Sequence, residues 1–507
     1  MLRQETSGET QGVSDVTDVE RMAVIGAGAA GLCAAKHLLE RGFAVTVFEM
    51  GSQVGGLWVY ENDNARSPAY LSLRINSEPR ATQFHDFPFP EDYPFNPTHF
   101  QVHAYLEAYA DHFDIRRHIR FNAKVASVEQ PTTAPGNEWR IRLADGTEES
   151  FDGVVIATGH QGVPSHPPFA KKFGGEYLHS HDYRTPEPFR DKRVLVVGTG
   201  NSALDIAADI CTVTASTTMT ARSPVLIMPR MLFGVPIQRT IAKISKPGVP
   251  WAVERRFREL LTYVAHGRVE DWGFVRPKKR THPASHPTIM GHIAWRRIAV
   301  KTAGADDADG NEVHFSDGTV ERFDTVIAAT GYEIDLPFLS EEMVPVTGRR
   351  LDLYKRVAAP GWPGLYFVGF HNVSGGANIR IMDVQADLVA ALAKGDVGLP
   401  DRSEMIADIE RERRRIERRY PDSPRYGLEL DPPVYTRDVE EELHPHRSRL
   451  RLRRTARYFL RDAANAVYHG RRGSTVDRRL MAKLAATGLA AVGVATIVAL
   501  PRARRRS

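Results

Sequence analysis

Twice along the chain a short apolar run ends at a glycine-rich turn and passes into a helical pattern. This doubled feature limits the fold more than any other. In the first unit, Arg21 to Ile25 (RMAVI) leads into Gly26-Ala-Gly28-Ala-Ala-Gly31. Helical spacing follows to Leu39, then a second apolar run from Ala44 to Glu49 (AVTVFE). The second unit repeats the order: Arg193 to Val197 (RVLVV), Gly198-Thr-Gly200-Asn201-Ser202-Ala203, a helix from Ala203 to Cys211, and strand-like Thr217 to Ala221. Runs this uniformly apolar suit strands buried on both faces of a parallel sheet. The expected fold is therefore α/β, with two Rossmann-like dinucleotide-binding domains.

Each position in the turns has a physical task. Gly26 permits the tight strand-to-helix turn, Gly28 lets backbone approach a pyrophosphate, and Gly31 lets helix and strand pack closely. The helix start then offers free N–H groups and the positive end of its dipole to the phosphates. Glu49 ends the next strand, 18 residues beyond Gly31, where a carboxylate accepts hydrogen bonds from ribose hydroxyls. In the second unit Gly198 and Gly200 repeat these roles. No acid ends its second strand; Arg222 follows instead. A carboxylate there repels a 2′-phosphate and an arginine pairs with it, so the second site is expected to prefer NADP over NAD. The plainer alternative is a surface arginine at a strand end. Two such sites suggest electron flow from a nicotinamide to a flavin and onward. Composition and spacing leave the final acceptor open among a disulfide, a quinone, a protein and O2. The lack of any C-x-x-C counts against a dithiol.

Two segments look alike: Glu149 to His160 (ESFDGVVIATGH) and Glu321 to Tyr332 (ERFDTVIAATGY). Each follows a DG hairpin signal, Asp145-Gly146 and Asp317-Gly318. They are expected to carry the chain from one nucleotide domain into the other, with boundaries near Pro188 and Phe338.

Between the turns, Phe173, Gly175, His179 and Tyr183 complete the pattern F-x-G-x-x-x-H-x-x-x-Y. This resembles the fingerprint of the flavin-containing monooxygenases. The related Baeyer–Villiger enzymes usually carry tryptophan at the last place, where this chain has Tyr183 before Arg184. Gly55-Gly56-Leu57-Trp58 resembles the family's second FAD segment, and Asn76-Ser77 and Asp86 to Tyr93 its next block. Ala329-Thr330-Gly331-Tyr332 and Gly364 to Gly369 resemble its late motifs. The likeness runs from Met22 to Gly395 and is loose from Arg230 to His292.

The resemblance implies an FAD domain (21–187 and 338–445) with an inserted NADPH domain (188–337). It implies FAD at Gly26, Gly28, Gly31, Glu49, Gly56, Leu57 and Trp58, and NADPH at Gly198, Gly200, Asn201, Ser202 and Arg222. The implied chemistry is a C4a-hydroperoxyflavin giving oxygen to an amine nitrogen or a sulfide. Baeyer–Villiger oxidation of ketones and NADPH-dependent flavin reduction without oxygenation are the alternatives. By family position Asn76 holds the oxygenated flavin by hydrogen bonds; its plainer reading is a turn-forming asparagine. Gln385 lies in a segment that faces the flavin or, equally, on a helix surface. His179 is read as a hinge residue in preference to a proton shuttle.

With the oxidant supplied by a cofactor, no catalytic triad and no metal cluster is expected, and the 19 histidines show no zinc spacing. Cys33 and Cys211 are read as buried small apolar residues. The first 20 residues are polar and lack a signal-peptide pattern, as a disordered leader does. Residues 446–507 hold sixteen Lys/Arg against Asp462 and Asp477, +14 in a chain of net +5, so the remainder is acidic and nucleic-acid binding is not expected. Within this basic tail, Leu484 to Leu500 is 17 residues without a charge, short for a span. Arg447 to Arg461 alternates arginines with apolar residues, as surface amphipathic helices do. The helical tail is read as a membrane anchor on the cytoplasmic side, with packing on the core or on a second subunit as the alternative. The expected partners are a small-molecule substrate and O2, in a monomer or a homo-oligomer.

Overall fold

The computed structural model describes residues 20–444, apart from 131–137, 243–248, 250, 374–377 and 422. The leader and the basic tail lie outside the described residues. Two five-stranded sheets organise the rest. The first runs in the order Leu365–Phe367, Gly153–Ile156, Arg21–Ile25, Ala44–Phe48, Ile119–Arg120, with every neighbour parallel. The second runs Ile298–Lys301, Ser216–Thr220, Arg193–Val197, Thr325–Ala328, Glu176–His179, again all parallel.

Alternation along the central strand explains the layers. Met22 and Val24 face a cluster built on the helices Ala29–Glu40, His99–His112 and Asn378–Lys394. Ala23 and Ile25 face the opposite cluster, which contains Trp139, Ile141 and Phe151. Those residues belong to a three-stranded antiparallel meander, Val125–Glu129, Trp139–Leu143 and Glu148–Phe151. The second sheet is covered in the same way. Leu195, Val197 and Val326 pack with Val313 and Phe315 of the meander Ala305–Asp309, Glu312–Phe315, Val320–Arg322.

The two look-alike segments are the last meander strand and the return strand of each unit. Their DG turns form as expected: Asp145 and Asp317 accept from the N–H of Thr147 and Thr319, at 2.9 and 3.0 Å. Beyond the ATG residues the two exits pair with each other, Val163–Pro164 antiparallel to Tyr332–Glu333. One departs from the first sheet and the other from the second.

One expectation shifts. The strand Glu176–His179 joins the second sheet although it precedes the boundary drawn at Pro188. It holds the fingerprint histidine, and its edge position is fixed by pairing with Thr325–Ala328 rather than by its own modest apolarity. The short hairpin Met231–Leu232 with Val235–Pro236 falls outside the main compact unit. No helix among the described residues is long and apolar enough to cross a membrane.

Candidate functional site

Both glycine turns sit at the carboxyl end of their sheet's central strand. In the first, Gly26 adopts φ +105°, and a Cβ there would stand 2.7 Å from the Ala157 carbonyl oxygen. A Cβ on Gly31 would stand 1.8 Å from the Gly26 carbonyl oxygen. Both glycines are thus demanded by the protein itself. Gly28 is different. Its φ of −77° is open to any residue, and its nearest neighbour, the Gly56 Cα, is 3.6 Å from a notional Cβ.

The second turn repeats the contrast. Gly198 has φ +132° and no room, with the Ala329 carbonyl oxygen 2.6 Å from a Cβ. Gly200 has φ −75° and meets only Arg425 at 3.9 Å. In each unit the outer constraint comes from the alanine of the ATG segment, Ala157 or Ala329. In each the middle glycine answers no demand of the fold. Its bareness fits a group brought against the backbone from outside, as a pyrophosphate is. Neither following helix, Ala29–Glu40 or Asn201–Ile210, has a side-chain cap on its first N–H groups, which leaves them for an anion.

The other predicted residues gather around these turns to differing degrees. Gly56-Leu57-Trp58 forms a single 3-10 turn whose Gly56 abuts Gly28. Glu49 is buried, and its carboxylate accepts from the Ala27 and Gly51 N–H groups, both at 2.8 Å, and from the Asn64 side chain at 3.2 Å. Much of its capacity is therefore spent on bracing the turn. Asn201 is likewise occupied, its Oδ1 accepting from the Ser285 N–H at 3.0 Å. Ser202 is half-buried on the same first helical turn. Arg222 is exposed past the end of Ser216–Thr220, its side chain lying along Gly304.

Gln385 is neither a surface residue nor a free arm. It is fully buried, and its Oε1 accepts from the Gly369 N–H at 3.0 Å and pairs with His371 Nδ1 at 3.1 Å. Gly369, at φ +91°, would carry a Cβ 2.9 Å from that of Ala30. Gln385 thus shapes the chain that closes over the first helix start. Burial and the nearby His160 push His371 down to about 3, so it is neutral.

Asn76 is half-buried. Its carbonyl accepts from Gln238 Nε2 at 3.0 Å, and its own carboxamide makes no hydrogen bond among the described residues. Next to it, buried Glu78 accepts from Arg239 Nε at 2.8 and 2.9 Å. The loosely matching stretch after Arg230 therefore lies against the Asn76 loop.

In the fingerprint, His179 is fully buried. Its Nδ1 accepts from the His181 N–H at 3.1 Å, and its Nε2 has no hydrogen-bond partner among the described residues. Burial, with His166 and His181 adding to it, pushes it down to about 4. It is a neutral packing residue against Tyr332. Its hydrogen bond to the His181 N–H stays within its own loop. Tyr183 does bridge: its hydroxyl donates to Asp209 at 2.7 Å.

Sequence reasoning missed Asp205 and Asp209. Two acids four apart on the otherwise apolar helix Asn201–Ile210 were the available signal. Tyr70 donates to Asp205 at 2.7 Å and Ser72 to Asp209 at 2.8 Å. Cys33 and Cys211 are buried, free thiols.

Comparison with known proteins meets this geometry. The flavin-binding monooxygenase-like family matches residues 19–451. Flavin-containing monooxygenase 5 of Homo sapiens is 33% identical over 438 residues, 81% of this chain and 80% of that protein. The S-allyl-L-cysteine S-oxygenase of Allium sativum superposes with a TM-score of 0.64 at 26% identity, over 84% of this chain and 88% of that one. Closed cyclohexanone monooxygenase superposes with a TM-score of 0.63 at 15% identity, over 83% and 97% of the two chains, a likeness of fold alone.

Proposed function

Given that the chain belongs to the flavin-binding monooxygenase-like family and is an oxidoreductase working with FAD and NADPH, we propose that it transfers one oxygen atom of O2 to soft nucleophiles, an amine nitrogen or a sulfide sulfur. The observation that carries this reading is the pair of middle glycines, Gly28 and Gly200, which have ordinary φ values and open space, as backbone that a pyrophosphate approaches would. The names of the relatives, a flavin-containing monooxygenase and an S-oxygenase, support the choice of reaction.

Bound FAD supplies the electron relay and the activation of O2. The protein's part is binding, orientation and the exclusion of water. In this reading the N–H groups at the start of Ala29–Glu40 hold the FAD phosphates, with Gly26, Gly28 and Gly31 shaping the approach. Glu49 braces that turn and offers its remaining lone pairs to a ribose. Gly56, Leu57 and Trp58 cover the same cradle, and Gln385 fixes the Gly369 turn beside it. Gly198, Gly200, Asn201 and Ser202 form the NADPH cradle, and Arg222 pairs with the 2′-phosphate. Asn76 presents a carboxamide that no other described residue engages. The FAD part comprises 21–187 and 338–445 and the NADPH part 188–337, with Glu176–His179 lent to the second sheet.

The test is to reduce the enzyme with NADPH, mix it with air and follow the flavin spectrum together with products. A long-lived spectrum unlike either oxidised or reduced flavin is expected, with sulfoxide or N-oxide formed from an added thioether or amine. Direct return to oxidised flavin with release of peroxide would mark a reductase and end the proposal. Lactone from a cyclic ketone, without sulfoxide, would move the enzyme to the Baeyer–Villiger class.

The basic tail, 446–507, is proposed to bind membranes, on the strength of its charge and the uncharged run Leu484 to Leu500. Truncation before Arg478 is then expected to move the protein from the membrane pellet to the supernatant with activity kept. Full-length protein already in the supernatant would refute that part.

A further inference from the structure

Folded proteins pair nearly all their buried polar groups, so a cluster of unpaired ones asks what completes it. Such a cluster gathers around Asp205, on the helix that follows the second turn. Arg230 is 8% exposed, its Nε is shielded, and its guanidinium makes no hydrogen bond among the described residues. Among the described residues its ion-pair partner is Asp205, at 3.9 Å, beyond hydrogen-bond reach. Asp205 Oδ2 accepts from Tyr70, but Oδ1 is shielded and unpaired. His286 Nε2 stops 3.6 Å short of the same Oδ1. The neighbouring Ser285 Oγ is also buried without a partner. A guanidinium and an imidazole therefore stand 3.9 and 3.6 Å from the carboxylate oxygen Asp205 Oδ1 but are not hydrogen-bonded to it.

The cluster's position links it to both candidate centres. The Ser285 N–H donates to Asn201, the first residue after the second glycine turn. On the other side, the Arg230 carbonyl accepts from the Ile237 N–H at 3.1 Å, and the next residue, Gln238, donates to the Asn76 carbonyl. The side chains of Arg230, Asp205 and His286 keep 9%, 14% and 13% of their exposure, so the cluster is not sealed.

The geometry points to a subsite for the charged end of a zwitterionic, α-amino-acid-like substrate, with Arg230 taking the carboxylate and Asp205 Oδ1 the ammonium group. The inference rests on the oxygenase reading above and narrows its substrate class to amino-acid thioethers or amines. The chemistry is matched: a guanidinium binds a carboxylate through two parallel N–H donors, and an unpaired carboxylate oxygen is the natural acceptor for an ammonium. A neutral thioether fills neither role. It leaves the Arg230 Nε and Asp205 Oδ1 shielded and without a hydrogen bond among the described residues, which is the costly case. Burial pushes Asp205 up to about 6 and His286 down to about 3, so at pH 8 the first is anionic and the second neutral.

The full chain with FAD and NADPH is assayed at pH 8 on S-methyl-L-cysteine and on ethyl methyl sulfide, which has the thioether but neither charge. The expected result is a higher kcat/KM for the amino acid. That ratio should fall roughly ten- to hundredfold in Arg230→Gln and in Asp205→Asn, chiefly through KM, as loss of one charge-assisted hydrogen bond predicts. Asp205→Asn is nearly isosteric and guards against misfolding of the arginine variant. Equal use of both thioethers would overturn the inference while leaving the oxygenase reading intact. If neither is oxygenated, calorimetric titration with S-methyl-L-cysteine decides. Binding that either variant abolishes upholds the subsite, and absence of binding shows that only water fills it.

Discussion

At the scale of single residues, the two kinds of glycine in each turn should fail differently. A side chain on Gly31 collides with the Gly26 carbonyl inside the protein. Gly31→Ala is therefore expected to destabilise the fold by about 3 kcal/mol or more, in the upper range for one substitution, and to show as a lowered Tm or insolubility. Gly28→Val meets no such obstacle at its Cβ, since its neighbour is 3.6 Å away. It should fold with a normal far-ultraviolet spectrum and emerge colourless. A yellow Gly28→Val protein would show that this glycine does not face the flavin's phosphates. Arg222 carries a separate expectation. It is exposed and reaches no acid among the described residues, so Arg222→Ala should raise the KM for NADPH roughly tenfold or more, as loss of a charge-assisted contact implies, and scarcely move that for NADH. Equal effects on the two coenzymes would make it an ordinary surface arginine.

At the scale of elements, the helices Ala29–Glu40 and Asn378–Lys394 are joined through Asp383, which receives His37 at 2.9 Å and, more closely still, His85. Burial alone would raise the Asp383 carboxyl, yet the two imidazoles hold it well below the usual carboxylate range. The same bond raises His85 against the opposing effect of its partial burial. A raised histidine contributes stability that is fully present below its unfolded value of about 6.5 and is lost as pH rises through the folded value. The depressed carboxyl contributes above about 4 and is lost as pH falls through its folded value. The junction should thus be firmest between about pH 4 and 6.5. His85 is half-exposed, so screening limits its share to about 1 kcal/mol or less. His85→Gln should lower Tm at pH 6 and hardly change it at pH 9, by thermal melts at both. A uniform drop would mean that His85 acts by packing.

Strands and turns of this kind were legible because their signals are local. Apolar runs, glycine spacing and the ATG endings each mark a position that the backbone alone constrains. The His37–Asp383–His85 junction was not legible, because Asp383 lies 346 and 298 residues from the two histidines and no local pattern links them. The edge strand Glu176–His179 escaped for a related reason: its place is set by its partner, while its own residues read as a connector. Gln385 and Glu49 were singled out by motif. What motif could not tell is that their polar atoms are largely spent on the protein's own backbone.

At the scale of the whole molecule, catalysis in a two-cradle enzyme depends on how well one sheet system is aligned with the other. Alignment here has an identifiable device. The helix Asn201–Ile210 begins at the second glycine turn, and its Asp205 and Asp209 are gripped by three hydroxyls: Tyr70, Ser72 and, from the fingerprint, Tyr183. Tyr183 is 1% exposed, so its hydroxyl has no water to turn to. Tyr183→Phe removes one donor and leaves the carboxylate to Ser72 alone. A bond to a charged acceptor is worth about 1.5–3 kcal/mol, and misplacement of reacting groups by a fraction of an ångström is costly in rate. Anaerobic reduction of the flavin by NADPH should therefore slow roughly tenfold or more in Tyr183→Phe. FAD content and reduction by dithionite, which needs no nicotinamide alignment, should stay as they are. Ser72→Ala should act in the same direction, and the double variant should show coupling, because both donors share one carboxylate. Flavin reduction at the parental rate in all three proteins would mean that the fingerprint tyrosine serves packing alone and that alignment is held elsewhere.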